Sequence, residues 1–83
     1  MTKNGLSMIL GLQIRAARAA LGWSAQELSE KSGISWRTIM RMEQEDGIPA
    51  SRVNTVVQIQ TTLESAGIEF IGSPGNQPGV RLK

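Results

Sequence analysis

The sequence predicts a mainly α-helical domain of about four helices that ends in a β-hairpin. Apolar residues recur at helical spacing up to Leu63, and capping residues mark two closely spaced helix starts in the middle of the chain. From Ile68 onward the apolar residues instead alternate with polar ones. With 83 residues, the chain suits a single domain, residues 1–83, with a small core.

The composition argues against several classes of protein. There is no cysteine and no histidine, so disulfides, the usual zinc ligands and the commonest general base are missing. We therefore expect no enzymatic activity, no catalytic residue, no metal and no cofactor, and a small domain without cysteine indicates the cytoplasm. The stretch Met1–Leu10 is too short and too polar for a signal peptide or a membrane span. We also expect no domain that binds a small-molecule effector.

The first helix is predicted at roughly Ile9–Leu21. An apolar stripe at spacings of three and four residues predicts it, formed by Leu10, Ile14, Ala17 and Leu21. Gly22 ends the helix, and Ser7 is the candidate cap at its start. Gly11 then falls inside the first turns, where glycine costs about 1 kcal/mol relative to alanine.

Residues 24–44 carry the signals of a helix-turn-helix, around which the predicted fold is organised. Ser24 and Glu27 match a capping box, and Ser35 repeats the cap eleven residues later. Each cap is flanked by the apolar pair of a hydrophobic staple, Trp23 with Leu28 and Ile34 with Ile39. Gly33 can take the positive φ that ends the first of these two helices and turns the chain.

The second helix of this pair sorts its side chains onto two faces. Ile39 and Met42 are predicted to point inward, and the opposite face is predicted to carry Trp36, Arg37, Met40 and Arg41. Arginine matches guanine edges and phosphates, and apolar tips match the thymine methyl group, so this face suits DNA. Two other interpretations stay open: Trp36 as an aromatic packed between the helices, and Met40 as a filler of the core.

The stretch L-G-W-S-A-Q-E-L-S-E-K-S-G-I-S-W-R-T-I-M-R-M-E resembles the DNA-binding domain of the Cro and phage-repressor regulators, the lambda-repressor-like or XRE family. The ending G-I-E-F-I-G…P-G-V-R-L-K is similar to a subgroup of small bacterial or prophage regulators in which a β-hairpin replaces the last helix. The resemblance covers Gly11 to Lys83. Two positions depart from the family pattern, because Ala25 stands where glutamine is frequent, with Gln26 beside it, and Ser29 replaces a small alanine.

This resemblance implies a lambda-repressor-like helix-turn-helix fold and a sequence-specific transcription regulator, a repressor that acts by steric occlusion. The residues expected at the DNA are Gln26, Ser35, Trp36, Arg37, Thr38, Met40 and Arg41. Arg18 and Glu43 match the positions of the family's structural ion pair, which we expect to be at least partly buried. Because one copy offers few phosphate contacts, we expect a homodimer on double-stranded DNA, with half-sites about 34 Å apart.

A fourth helix is predicted beyond a loop marked by an Asp-Gly pair and Pro49. Ser51 is expected to cap it and Gly67 to stop it. Its predicted stripe is Val53, Val56, Val57, Gln60 and Leu63, with Ile59 broadening the apolar side.

Residues 68–83 predict a hairpin around a turn-rich loop at 72–79. Its apolar face is expected to consist of Ile68, Phe70, Val80 and Leu82. An isolated two-stranded hairpin is marginal in water, so this face must pack on the helices or the hairpin's edge must meet another chain.

Charge and motif together favour DNA binding. Residues 1–44 hold six basic and three acidic side chains, whereas the remainder holds three basic and four acidic ones, so the positive charge coincides with the helix-turn-helix. The competing hypothesis is a protein-interaction module, such as an antitoxin or assembly adaptor, that presents the same basic face to an acidic partner. Steep salt dependence of DNA binding would separate the two, since only the regulator is expected to show it.

Overall fold

Four α-helices and a C-terminal pair of antiparallel strands make up the part of the chain that the structure describes. The structure is a computed structural model and describes residues 9–45, 52–73 and 75–83. The helices are α1 (Gly11–Leu21), α2 (Ala25–Ser32), α3 (Trp36–Gln44) and α4 (Val53–Ser65), and the strands are β1 (Ile68–Ser73) and β2 (Asn76–Leu82). The mainly α class with a C-terminal hairpin is therefore confirmed. Within these ranges, no helix has the length and hydrophobicity required to cross a lipid bilayer.

The core lies where the helices and the first strand meet. Each of these elements contributes at least one fully buried apolar side chain, and the set includes Ile14, Leu28, Ile39, Met42, Ile59, Leu63 and Ile68. Ile39 and Met42 point inward as predicted, and both are completely buried. One side of α3 is thus committed to the core, which leaves its opposite side available.

The start of α1 differs from the prediction. The helix begins at Gly11 rather than Ile9, and Leu10 is the residue before its first turn. The backbone N–H of Leu10 donates to the side-chain oxygen of Gln13 at 2.8 Å, so the third residue of the helix reaches back to the residue that precedes it. The predicted cap, Ser7, lies outside the described residues. Gly22, with φ of 72°, ends the helix as predicted.

Gly11 is a point of close approach between α1 and the end of α3. A Cβ atom at Gly11 would lie 1.8 Å from the carbonyl oxygen of Glu45 and 2.2 Å from that of Met42. Neither distance is possible for a real side chain, so only glycine fits while these two backbones stay in place. The sequence predicts only a cost in helix propensity at Gly11, whereas in the structure this glycine lets α1 dock against α3.

The apolar stripe of α4 is rotated from the one predicted. Ile59 and Leu63 are fully buried and Val56 packs against the core, whereas Val53 is 64% exposed, so including Val53 in the stripe was wrong. The physical reason is that the core meets the side of the helix centred on Ile59 and Leu63, and Val53 falls beside that line. Arg52 precedes the helix without a side-chain capping bond, and the predicted cap, Ser51, lies outside the described residues.

The hairpin strands run further into the predicted loop than expected. β1 and β2 pair from Ile68 with Leu82 to Ser73 with Asn76, so most of 72–79 belongs to strands and the predicted long loop was wrong. The pairing register shifts between Ile71 and Ser73, where Gly72 has φ of 77°. A glycine in this conformation accommodates the irregularity and keeps the two strands paired around it.

The inner face of the hairpin packs on the helices. Ile68 is buried, and Phe70 and Val80 pack against the core, with β1 next to α4 and β2 next to α1. Leu82, expected on this face, is 51% exposed, although Ile68, its partner across the hairpin, is buried. Gln13 ties the hairpin to α1, since its side-chain amide donates to the carbonyl oxygens of Gly79 at 2.9 Å and Ile71 at 3.3 Å.

Candidate nucleic-acid interface

The helix pair α2–α3 begins with the predicted capping box. The Ser24 hydroxyl accepts from the N–H of Glu27 at 3.0 Å, and the Glu27 carboxylate accepts from the N–H of Ser24 at 2.7 Å. Leu28 is fully buried beneath the helix, and Trp23 packs on the edge of the core. These local signals fixed the start of α2, and the prediction is confirmed.

The turn between α2 and α3 is held from both sides. Gly33 has φ of 76° and its N–H donates to the carbonyl of Ser29, which ends α2 as predicted. The Ser32 hydroxyl accepts from the N–H of Ile34 at 3.1 Å. From α4, the side-chain amide of Gln58 donates to the Ser32 carbonyl, a contact that the sequence analysis missed because it joins residues far apart in the chain.

The first turn of α3 starts at Ser35. Its hydroxyl accepts from the N–H of Thr38 at 3.2 Å and donates to the Thr38 hydroxyl at 2.9 Å. The hydroxyls of Ser35 and Thr38 therefore orient one another. The first-turn N–H groups of Trp36 and Arg37 have no carbonyl within the helix to accept from them, which makes this end of α3 suited to a phosphate oxygen.

The outward side of α3 is basic. Arg37 and Arg41 are exposed, and neither guanidinium has a hydrogen bond or an ion pair with any described residue. Trp36 is 50% exposed, so the alternative in which it packs between the helices is not what the structure has. Two guanidinium groups and part of an indole ring thus lie on a surface that no hydrogen bond or ion pair from another described residue occupies.

Met40 was predicted on this exposed face, but it does not lie there. It is half-buried and packs against the core, because its position on the helix lies at the border between the outward side and the buried side of Ile39 and Glu43. The structure therefore agrees with the interpretation of Met40 as a filler. The exposed side chain that completes the row of Arg37 and Arg41 is instead Gln44, which the sequence analysis did not select. Its spacing, seven residues after Arg37 and three after Arg41, is the signal that could have found it.

Arg18 and Glu43 form the ion pair that the sequence predicts. Two parallel bonds join them, from Nε to Oε2 and from Nη2 to Oε1, each 2.8 Å long. The Glu43 side chain is 4% exposed and that of Arg18 is 20% exposed, so the pair is largely buried. The hydrogen bond from Arg18 to the Glu43 carboxylate raises the pKa of the guanidinium, which stays charged.

This pair anchors the last turn of α3 to α1. Arg18 also donates to the Trp23 carbonyl at 3.0 Å, which joins the α1–α2 connection to the same network. Arg15 donates to the backbone carbonyl of Glu43, one of the carbonyls that the end of a helix leaves without a helical partner. Together with the close contact at Gly11, these bonds fix the direction of α3 against the rest of the domain.

Gln26 is exposed on the first turn of α2, apart from the row on α3. Its side-chain amide donates to the Glu30 carboxylate at 3.4 Å, a long and weak bond within the helix. Ala25, at the position where the resembling family often has glutamine, is buried. This bond uses one of the two amide hydrogens of Gln26, so the other hydrogen and the side-chain oxygen are not engaged by Glu30.

The comparisons with known proteins add no further identification. No protein-family model matches the chain, and no curated protein matches it either. The functional assignment consequently depends on the geometry of α3 and on the chemistry of its exposed side chains.

Proposed function

We propose that this protein is a sequence-specific DNA-binding transcription regulator of the lambda-repressor-like, XRE type, and that α3 enters the major groove. The observation that carries the proposal is the outward side of α3, where Arg37 and Arg41 stand exposed without a partner among the described residues. A guanidinium fork is the side chain that most often reads guanine, and it also binds phosphate.

The side chains around the two arginines support the same role. The capped start of α3 at Ser35 would receive a backbone phosphate, with Thr38 beside it, and the exposed part of Trp36 would contact a thymine methyl group or a sugar. Phosphate contacts of this kind position a helix, and base contacts then specify the sequence.

The rigid mounting of α3 supports base reading as well. Gln58 holds the turn before the helix, and the Arg18–Glu43 pair holds its last turn. A helix fixed at both ends presents its side chains in one geometry, so little conformational freedom is lost when it meets DNA.

The expected active form is a homodimer in the cytoplasm, bound to two half-sites and blocking transcription by occlusion. Half-sites one helical turn apart lie about 34 Å from each other. The Cα atoms extend 29 Å along the longest principal axis and 20 Å along the shortest, dimensions comparable with that separation. Two copies also double the number of phosphate contacts, which a domain with a net charge of +2 needs for useful affinity.

A second candidate is a protein-interaction module that binds an acidic partner, as an antitoxin or an assembly adaptor would. The observation that favours it is the half-exposed Trp36 beside Arg37, because tryptophan and arginine are enriched among the residues that dominate protein interfaces. DNA binding remains the preferred proposal, since the capped helix end and the row of donors both match DNA.

The test is selection of bound sites from a random duplex pool, followed by titration of a selected site and a scrambled one at several salt concentrations. A regulator is expected to enrich one sequence and to bind the scrambled duplex weakly, with affinity falling steeply as salt rises. Absence of both enrichment and salt-dependent binding would refute the proposal and favour the interaction module.

A further inference from the structure

The first turn of α3 carries the second of the chain's two tryptophans. Trp36 is the first residue of the helix and is 50% exposed, whereas Trp23 packs on the edge of the core. The hydrophobic staple at this helix start is formed by Ile34 and Ile39, so the start of α3 does not require an indole at position 36. Tryptophan is highly buried on average and is enriched at interfaces. The residue type at this position therefore indicates contact with a ligand.

The backbone that carries Trp36 is held in place, and it lies at the end of the helix that approaches bases. Ser35 caps the helix, and the amide of Gln58 holds the Ser32 carbonyl in the turn before it. In a helix-turn-helix bound to DNA, the N-terminal residues of the second helix contact base edges in the major groove. Trp36 and Arg37 are the first two residues of α3, so they are the side chains placed for that contact.

The two side chains differ in what they can recognise. A guanidinium pairs with O6 and N7 of guanine. An indole has one donor and no acceptor, so it cannot read a base through paired hydrogen bonds. Its carbon surface instead matches the one apolar group that bases present in the major groove, the methyl group at C5 of thymine.

The helix rise requires the two contacts to be close together on the DNA. Consecutive residues such as Trp36 and Arg37 differ by about 1.5 Å along the helix axis. Base pairs are stacked about 3.4 Å apart, which is more than this difference. The indole and the guanidinium therefore contact the same base pair or two adjacent ones.

From these observations we infer that Trp36 and Arg37 together recognise a guanine and, on the same or the adjacent base pair, a pyrimidine methylated at C5. The inference rests on the proposed insertion of α3 in the major groove. 5-Methylcytosine carries its methyl group at the same position as thymine, whereas cytosine and uracil carry hydrogen there. Methylation of a cytosine at this position consequently strengthens binding, so that the modification state of the DNA regulates the protein.

The experiment uses the full chain and the duplex selected from the random pool. Each thymine in turn is replaced by deoxyuridine, which removes only the methyl group, and the Kd is measured by fluorescence anisotropy. Affinity should fall about fourfold, the effect of one buried methyl group, at one thymine next to the guanine whose preference Arg37→Ala loses. With a cytosine–guanine pair in place of that thymine–adenine pair, methylation of the cytosine at C5 should raise affinity by a similar factor.

Variants of the helix assign this methyl effect to the indole. Trp36→Ala should bind the thymine and deoxyuridine duplexes equally, whereas Trp36→Phe, which keeps an aromatic ring, should still distinguish them. Arg41→Ala, one turn further along α3, is the control and should keep the wild-type ratio of the two affinities. Each ratio is measured within one variant, so a general loss of affinity does not affect it. Thermal melting checks that each variant is folded, and the wild-type duplex comparisons are decisive if Trp36→Ala is not.

The outcomes separate this inference from the proposed function. The inference is wrong if the selected site has no thymine next to a guanine, or if wild type binds every deoxyuridine duplex as tightly as its thymine parent. It is also wrong if folded Trp36→Ala keeps the wild-type preference for thymine over deoxyuridine. In each of these cases the enriched sequence still supports a DNA-binding regulator. If the wild-type protein enriches no sequence at all, both the inference and the proposed function are wrong.

Discussion

Glu43 shows how a single residue links stability to the placement of α3. Its carboxylate is buried and receives two hydrogen bonds from Arg18, and its carbonyl receives one from Arg15. A carboxylate in this environment is favourable only while its partner is present, because its own hydration has been lost. The pair therefore holds the end of α3 in place, and the stability of the protein depends on both residues being present.

Replacing Arg18 with alanine should destabilise the protein by about 3 kcal/mol, because the buried Glu43 charge is then left without its partner. The free energy of unfolding in urea measures this effect. The Arg18→Ala, Glu43→Ala double variant should lose less than the sum of the two single variants. A double-mutant cycle with no coupling energy would show that the pair contributes nothing, and Arg81→Ala, at the exposed pair with Glu69, is the control with little expected change.

Gly11→Ala should also destabilise the protein, although alanine is the better helix former. The added methyl group would overlap the carbonyl oxygens of Glu45 and Met42, so α1 and α3 would have to separate. Overpacking of this kind costs about 1–3 kcal/mol, which exceeds the gain in helix propensity. Thermal unfolding measures the difference, with Gly75→Ala as a control because nothing lies within 4 Å of the position of its Cβ. A stable Gly11→Ala variant would mean that the contact between α1 and α3 is looser than described.

The hairpin is an element whose stability comes from the helices beneath it. Its two strands bury Ile68 and pack Phe70 and Val80 on the core, and Gln13 bonds to one carbonyl in each strand. On the outer face, the exposed side chains of Arg81 and Glu69 pair at 2.6 Å, and Arg81 lowers the pKa of that carboxyl. These contacts give the hairpin a structural role within a single protomer.

Truncation after Gly67 should therefore lower the melting temperature sharply. It removes the buried Ile68, whose burial alone contributes roughly 1.5–3 kcal/mol as an upper figure, and leaves the amide of Gln13 without its carbonyls. Calorimetry and analytical ultracentrifugation of the truncated chain measure stability and association state together. If both stayed at their wild-type values, the hairpin would have to serve another purpose.

The α2–α3 unit could be predicted from the sequence because its signals are local. Ser24, Glu27, Gly33 and Ser35 act on residues within three or four positions of themselves, and each was found in its predicted place. Gln13, Gln58 and Gly11 act on residues far along the chain, so no short pattern reveals them. The rotation of α4 and the half-burial of Met40 have the same origin, since tertiary packing decides which border positions of a helix are covered.

At the scale of the whole molecule, the elements that close the core are distinct from the helix face that is proposed to bind DNA. α1, α4 and the hairpin close the core, and the α3 side opposite the core keeps Arg37 and Arg41 free of described partners. Charge on this side, rather than the modest net charge of +2, is what would attract a nucleic acid. In the proposed function, these two arginines contact DNA.

The most direct test of that claim compares Arg37→Ala and Arg41→Ala with wild type on the selected duplex and on a scrambled one, with Arg81→Ala as a charge-matched control on the hairpin. An arginine that reads a base should weaken binding to the selected site by about 1–3 kcal/mol and relax preference at one position. An arginine that holds phosphate should weaken binding to both duplexes alike and make the salt dependence shallower. Unchanged binding of both duplexes by both variants, in proteins that melt like wild type, would contradict the assignment of this face to DNA.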